Sequence, residues 1–256
     1  MKEKNKWEQT HGNIGYEAKV FALLDSRIVL CKFEEELSKL NDKEEQIRVL
    51  IPGCGSNVNL QVCCKNVFGD KAILYALDWS QEAIAISKRK TDELGISVNY
   101  INQSYYEMTL EPCFFDVIVM SNAIVSESFE NNVAAISNFV NLLKPNGVLM
   151  GLLPSPFNMF DYALMNNDAN HWLVDGTVNV MERRIFEKQF GSQRFFTPLE
   201  LYVELKKNSC QIDNFELFFY DDDEFAGQIS KLYNISFNRE CCFWGYFIKS
   251  RKKEIC

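Results

Sequence analysis

A chain of 256 residues with 47% apolar and 24% charged side chains has the balance of an ordinary folded protein, which excludes wholesale disorder and fibrous repeats. Set against 27 basic residues, 35 acidic ones give a net charge of −8, which disfavours a surface built to neutralise nucleic-acid phosphates or anionic lipid. A small or cationic partner fits better. The 9 cysteines show no CxxC spacing and an odd count, so they read as reduced thiols; with only His11 and His171 present, no metal site is expected. Met1 to Gln9 is polar with no apolar leader, and no apolar run approaches the roughly 18 residues of a membrane span, so the expected location is the cytoplasm.

Apolar positions at Ile14, Val20, Phe21, Leu24, Ile28, Val29, Leu37 and Leu40 predict one or two helices in an N-terminal cap over 1–43. Ile47 to Ile51 reads as a buried strand entering the glycine turn Pro52-Gly53-Cys54-Gly55-Ser56-Asn57. Val58 to Phe68 predicts a helix stopped by Gly69, Ala72 to Leu77 a second strand, and Ser80 the cap of a helix running to Gly95. Val98 to Ile101, Phe115 to Met120 and Val148 to Leu153 are the next three strands. A helix over 131–143 and the turn Lys144-Pro145-Asn146-Gly147 separate the last two. Strands alternating with helices at this spacing predict right-handed βαβ units, hence a Rossmann-like, doubly wound α/β core over 44–153.

Residues 154–194 break the alternation and are rich in Asn and large apolar residues, which predicts an insertion after the fifth strand that acts as a lid; simple core packing explains the same aromatics equally well. Thr197-Pro198-Leu199-Glu200 is a capping box opening a helix that ends near Asn208, with Phe196 and Leu201 as its staple. Phe215 to Tyr220 and Cys242 to Ile248 then close a mostly parallel seven-stranded sheet, joined by the acidic turn Asp221 to Glu224 and a short segment. No linker interrupts the sequence, so a single domain over 1–256 is expected, with 195–256 as its closing helix and strands.

Gly53 and Gly55 lack Cβ atoms and let the backbone approach a ligand. Asp78, 23 residues past Gly55 at the end of the second predicted strand, is placed to accept hydrogen bonds from ribose hydroxyls. A dinucleotide would want a third glycine where Val58 stands, so the turn suits a nucleoside without phosphate.

Val49-Leu50-Ile51-Pro52-Gly53-Cys54-Gly55 resembles motif I of the class I S-adenosylmethionine-dependent methyltransferases, and Ala76-Leu77-Asp78-Trp79-Ser80-Gln81-Glu82-Ala83-Ile84 resembles their second motif. Phe115 to Asn122 is similar to motif IV, and Leu142 to Leu149 to the later KPGG-type turn. The resemblance implies S-adenosylmethionine as cofactor, with Pro52, Gly53, Cys54 and Gly55 passing its methionine part and Asp78 holding the ribose. It also implies that Trp79 covers the adenine, that Ser104 and Tyr105 flank its edge, and that Ser121 and Asn122 of motif IV face the cofactor. This sequence departs from the family pattern at Ile51, Asn57, Ser104 and Val125, and motif IV lacks the Asn/Asp-Pro-Pro-Tyr/Phe tetrapeptide of enzymes that methylate base or glutamine amides.

The implied reaction is methyl transfer to a small-molecule or short-peptide acceptor at O, N or S. His171, the only histidine of the insertion, is a candidate base, with Glu127 as its competitor and a structural histidine as the alternative. Tyr16, Tyr106, Phe157 and Trp172 are candidates for positioning the acceptor. A non-catalytic binding or scaffold protein of the same fold is the main alternative, and a nicotinamide-dependent oxidoreductase a further one.

Overall fold

A computed structural model describes residues 8–9, 22–41, 45–158, 178–179, 181–187, 191–221, 223–236 and 240–253. Tyr16, His171 and Trp172, and most of the expected lid, lie outside these residues.

The strands are β1 (Ile47–Pro52), β2 (Ala72–Asp78), β3 (Val98–Asn102), β4 (Phe115–Ser121) and β5 (Leu143–Pro154), followed by β6 (Val178–Asn179), β7 (Arg184–Glu187), β8 (Gly191–Arg194), β9 (Cys210–Asp221) and β10 (Glu240–Lys252). The helices are α1 (Ala22–Asp25), α2 (Arg27–Ser38), α3 (Asn59–Phe68), α4 (Gln81–Glu93), α5 (Phe129–Leu142), α6 (Pro198–Lys207) and α7 (Asp223–Tyr233). Seven strands form one sheet in the order β3-β2-β1-β4-β5-β10-β9. β1 to β5 pair in parallel, whereas β10 runs antiparallel to both β5 and β9. The order reverses at β1, so the carboxyl ends of β1 and β4 flank a crevice where ligands of such sheets bind.

Apolar residues on both faces of the central strands explain the two layers. Val49 and Ile51 of β1 point into one cluster with Phe33 and Leu37 of α2, whereas Leu50 joins Phe139 of α5 and Leu201 of α6 in the other. Cys63 and Cys64 are both buried in the first cluster rather than divided between core and solvent as adjacent residues usually are.

The alternation of strands and helices follows the expected order. Ser80 caps α4 by accepting the Ala83 amide at 3.1 Å, and Thr197 and Glu200 form the reciprocal capping box, with Phe196 and Leu201 buried together beneath it. Two differences have local causes. The turn Lys144 to Gly147 is absorbed into β5, which begins at Leu143, because Phe115 pairs with Leu143 before the register shifts to Val117 and Val148. The segment after Asp221 is not a short turn. It contains α7, whose apolar Phe225, Ile229 and Leu232 recur at helical spacing on either side of Gly227.

Within the expected insertion, β6, β7 and β8 make a separate three-stranded antiparallel ribbon. Among the described residues no helix is long and apolar enough to cross a membrane, and no group of three or more His, Cys, Asp or Glu is arranged to hold a metal.

Candidate cofactor site

At the carboxyl end of β1 the chain must turn sharply to enter α3, and Gly53 and Gly55 do so at φ +59° and +57°. The turn also presses against the loop after β4: a Cβ on Gly53 would stand 2.8 Å from the Ala123 Cβ. No larger residue fits.

Asp78 ends β2 beside this turn and is buried. One carboxylate oxygen accepts the Gly55 amide at 2.9 Å and the other the Ser80 amide at 2.8 Å, while the Cys54 amide donates to the Leu77 carbonyl at 3.1 Å. A carboxylate has about four acceptor sites, so these two bonds fix its plane and orientation. The Cys54 thiol is pushed well above its usual value by burial, and then by the Asp78 charge, so it remains a neutral wall of the turn.

Trp79, half-buried, packs edge-on against Tyr106 with centroids 5.8 Å apart. Asn102 secures the backbone beneath it, its amide donating to the carbonyls of Asp78 and Trp79 at 3.1 and 3.0 Å. Ser104 Oγ accepts the Tyr106 amide at 3.2 Å, which tightens the turn after β3. Tyr105 is buried in the core against Phe139, and its hydroxyl donates to the Ala123 carbonyl. The pair Tyr105 and Tyr106 thus divides its work, one ring underneath the site and the other beside Trp79.

β4 ends at Ser121, whose buried Oγ has no hydrogen-bond partner among the described residues. Asn122 follows at φ +53°, and its side-chain oxygen accepts the Trp244 indole N–H at 2.9 Å. Glu127 is exposed farther along the same loop. Phe157, expected near the acceptor, is 46% exposed just past β5.

Two sequence departures acquire reasons. Ile51 is 1% exposed in the core, where a carboxylate would be costly. Asn57 accepts the Asn59 amide at 2.8 Å at the start of α3 and donates to Asp25 at 3.2 Å, so it ties α1 to the glycine turn. Other contributors have no signal in the sequence. Glu8 accepts hydrogen bonds from Ser80 Oγ and the amides of Gln81 and Glu82 at 2.9, 2.8 and 3.1 Å, bringing the amino-terminal segment to the start of α4 beside Asp78.

Residues 49–147 match the profile of a family described as a methyltransferase domain. The match runs from β1 into β5 and so takes in the glycine turn, Asp78 and the end of β4. No curated protein sequence matches the chain. Among solved structures, the chain is similar to a SAM-dependent methyltransferase from Methanosarcina mazei, with 17% identity, TM-score 0.62, and coverage of 85% of this chain and 97% of that one. It is also similar to the 1,6-didemethyltoxoflavin-N1-methyltransferase of Burkholderia thailandensis, solved with 1,6-didemethyltoxoflavin and S-adenosylhomocysteine, at 12% identity and TM-score 0.63 over 98% and 87% of the two chains. The [4+2]-cyclase SpnF shares the fold as well, at 14% identity and TM-score 0.56 over 87% and 80%. At such identities the likeness is one of fold.

Proposed function

We propose that the chain transfers the methyl group of S-adenosylmethionine to a small-molecule or short-peptide acceptor. The observation that carries this reading is the Asp78 carboxylate, oriented by the amides of Gly55 and Ser80 beside a turn in which Gly53 leaves no room for a side chain. The orphaned Ser121 hydroxyl at the end of β4 adds a polar group that a ligand in the crevice would satisfy.

In this reading Pro52 to Gly55 pass the methionine part, Asp78 accepts the ribose hydroxyls, Trp79 with Tyr106 walls the adenine, and Ser104 lies along its edge. Tyr105 supports that wall from the core, and Ser121 and Asn122 face the reacting end. Bound there, S-adenosylmethionine supplies an electrophilic methyl group on sulfur.

The protein's own task is chiefly orientation, which contributes up to roughly 7–11 kcal/mol in well-aligned reactions. Tyr16, Phe157 and Trp172 position the acceptor, and residues 154–194 form the lid that excludes water. His171, with Glu127 as alternative, takes a proton from acceptors that carry one; an acceptor already ionised needs neither. The net charge of −8 favours a metabolite or peptide over nucleic acid, in a cytoplasmic setting.

The cyclase neighbour favours one second reading, a domain that binds the cofactor without transferring methyl. Calorimetry with S-adenosylhomocysteine, followed by a donor-turnover assay across acceptor pools, separates the two. Binding that Asp78→Ala weakens supports the site, turnover supports transfer, and absence of binding by the unaltered protein rejects both.

A further inference from the structure

Arg184 and Arg194 stand directly opposite each other on β7 and β8, so both side chains leave the same face of the antiparallel ribbon. Like charges so placed repel each other. Arg194 is only 7% exposed, and its guanidinium lies 3.7 Å from the centroid of the Phe129 ring. Its Nη2 donates to Glu200 Oε1 at 2.9 Å, an oxygen that also receives Arg183 at 2.9 Å, while the other Glu200 oxygen accepts the Thr197 amide. Arg184 meets Glu182 at 3.3 Å, where both side chains are exposed to solvent. Among the described residues Glu130 is a further carboxylate nearby; the Ser128 hydroxyl first, and the fields of Arg194 and Arg184 after it, hold its carboxyl below the ordinary value.

These partners do not complete the two guanidinium groups. Arg194 Nη1 and Arg184 Nε are both buried, and neither has a hydrogen-bond partner among the described residues. An unpaired buried donor costs about 1–3 kcal/mol, and more on a charged group. Two of them on facing arginines call for an acceptor that the described residues do not supply.

Their location says what that acceptor belongs to. The Arg194 amide donates to the Ser126 carbonyl at 3.1 Å, and the Asn132 side-chain amide donates to the carbonyls of Ser126 and Arg194 at 3.1 and 2.9 Å. The ribbon is thereby stitched to the loop leaving the carboxyl end of β4, on the ligand-binding side of the sheet. We propose that Arg184 and Arg194 anchor an anionic oxygen group, carboxylate or phosphate, on the methyl acceptor, so that the acceptor is an anionic small molecule. This inference rests on the methyl-transfer reading above. A guanidinium fork matches such a group with paired N–H donors, and the Phe129 ring beneath Arg194 holds that fork in place.

The test uses the full chain, with its arginine Nε–Hε resonances followed by NMR during titration with benzoate, neutral benzamide, inorganic phosphate and sodium chloride at matched ionic strength. S-adenosylhomocysteine binding is measured on the same sample. A saturable response to benzoate or phosphate, absent with benzamide and chloride, is expected; benzoate alone identifies a carboxylate and phosphate alone a phosphate. Arg184→Gln, which spares the buried Arg194–Glu200 pair, should weaken that binding about tenfold or more. Arg194→Lys keeps the charge facing Glu200 but removes the fork, and should weaken it likewise. Equal responses to chloride, or unchanged affinity in Arg184→Gln, overturns the anchor. Binding of S-adenosylhomocysteine without any oxyanion response overturns the anchor alone. Absence of S-adenosylhomocysteine binding overturns the methyl-transfer reading, and with it the acceptor role, even where oxyanions bind.

Discussion

The Gly55 amide and the Asp78 carboxylate, 23 residues apart in sequence, meet at 2.9 Å. That bond joins the turn after β1 to the end of β2, so the Asp78 carboxylate and the glycine turn are one rigid unit. Asp78→Asn tests the unit with almost no change of shape. The Gly55 and Ser80 amides meet different carboxylate oxygens, and in Asn one of those positions is an NH2 donor, so one of the two bonds is lost. The affinity for S-adenosylhomocysteine should fall about tenfold to a hundredfold, corresponding to one lost charge-assisted bond, and calorimetry reads it directly.

Gly53→Ala and Gly69→Ala form a controlled pair. Both glycines have φ +59°, but a Cβ on Gly53 meets Ala123 at 2.8 Å, whereas one on Gly69 meets nothing within 4 Å. Each variant should lose roughly 1–2 kcal/mol to the left-handed backbone. Only Gly53→Ala should also lose cofactor affinity, because Ala123 and the loop after β4 must shift. Urea denaturation beside calorimetry separates the two effects.

Acid stability should depend on Glu36. Burial alone would raise its carboxyl, but hydrogen bonds from Lys39 and Lys249 hold it down at about 2. A depressed carboxyl contributes stability that is full above its ordinary 4.5 and disappears as pH falls toward about 2. Glu36→Gln should therefore flatten the acid limb of the stability profile. At neutral pH it leaves Lys249, 7% exposed, without the carboxylate now 2.9 Å away, at a cost of about 3 kcal/mol. Denaturation midpoints between pH 2 and 7 measure both effects.

Proton transfer can be assigned by comparing His171→Ala with Glu127→Gln in single-turnover experiments. A true base at either position should give a loss of about a hundredfold to ten-thousandfold with cofactor affinity kept. Rates within about threefold of the unaltered protein for both variants, across the neutral range, would instead assign the rate to positioning alone.

The sheet core was legible because its signals are local. Alternating strand and helix patterns, the caps at Ser80 and Thr197, and the glycine turn each act within a few residues. Asp78 could be placed for the same reason, since the end of β2 follows from its apolar run. The rest depends on contacts across the fold. Trp244 reaches Asn122 over 122 positions, Glu8 reaches Ser80 over 72, and the Arg184–Arg194 pairing exists only once β7 and β8 have a register. Such relations leave no periodicity to read. The helix α7 was missed for a different reason, because Gly227 and the acidic run before it favour a turn when no packing is considered.

β10 lies between β5 and β9 although it follows both in sequence, and it carries the indole that steadies Asn122. During synthesis β9 therefore emerges without its neighbour, and the loop after β4 waits for Trp244 long after the glycine turn has formed. A ribosome-bound fragment ending near β9 would expose an unpaired aromatic strand and an unsupported site. Support of Asn122 is acquired only once β10 has emerged and paired, which makes that pairing a step where chaperone protection matters.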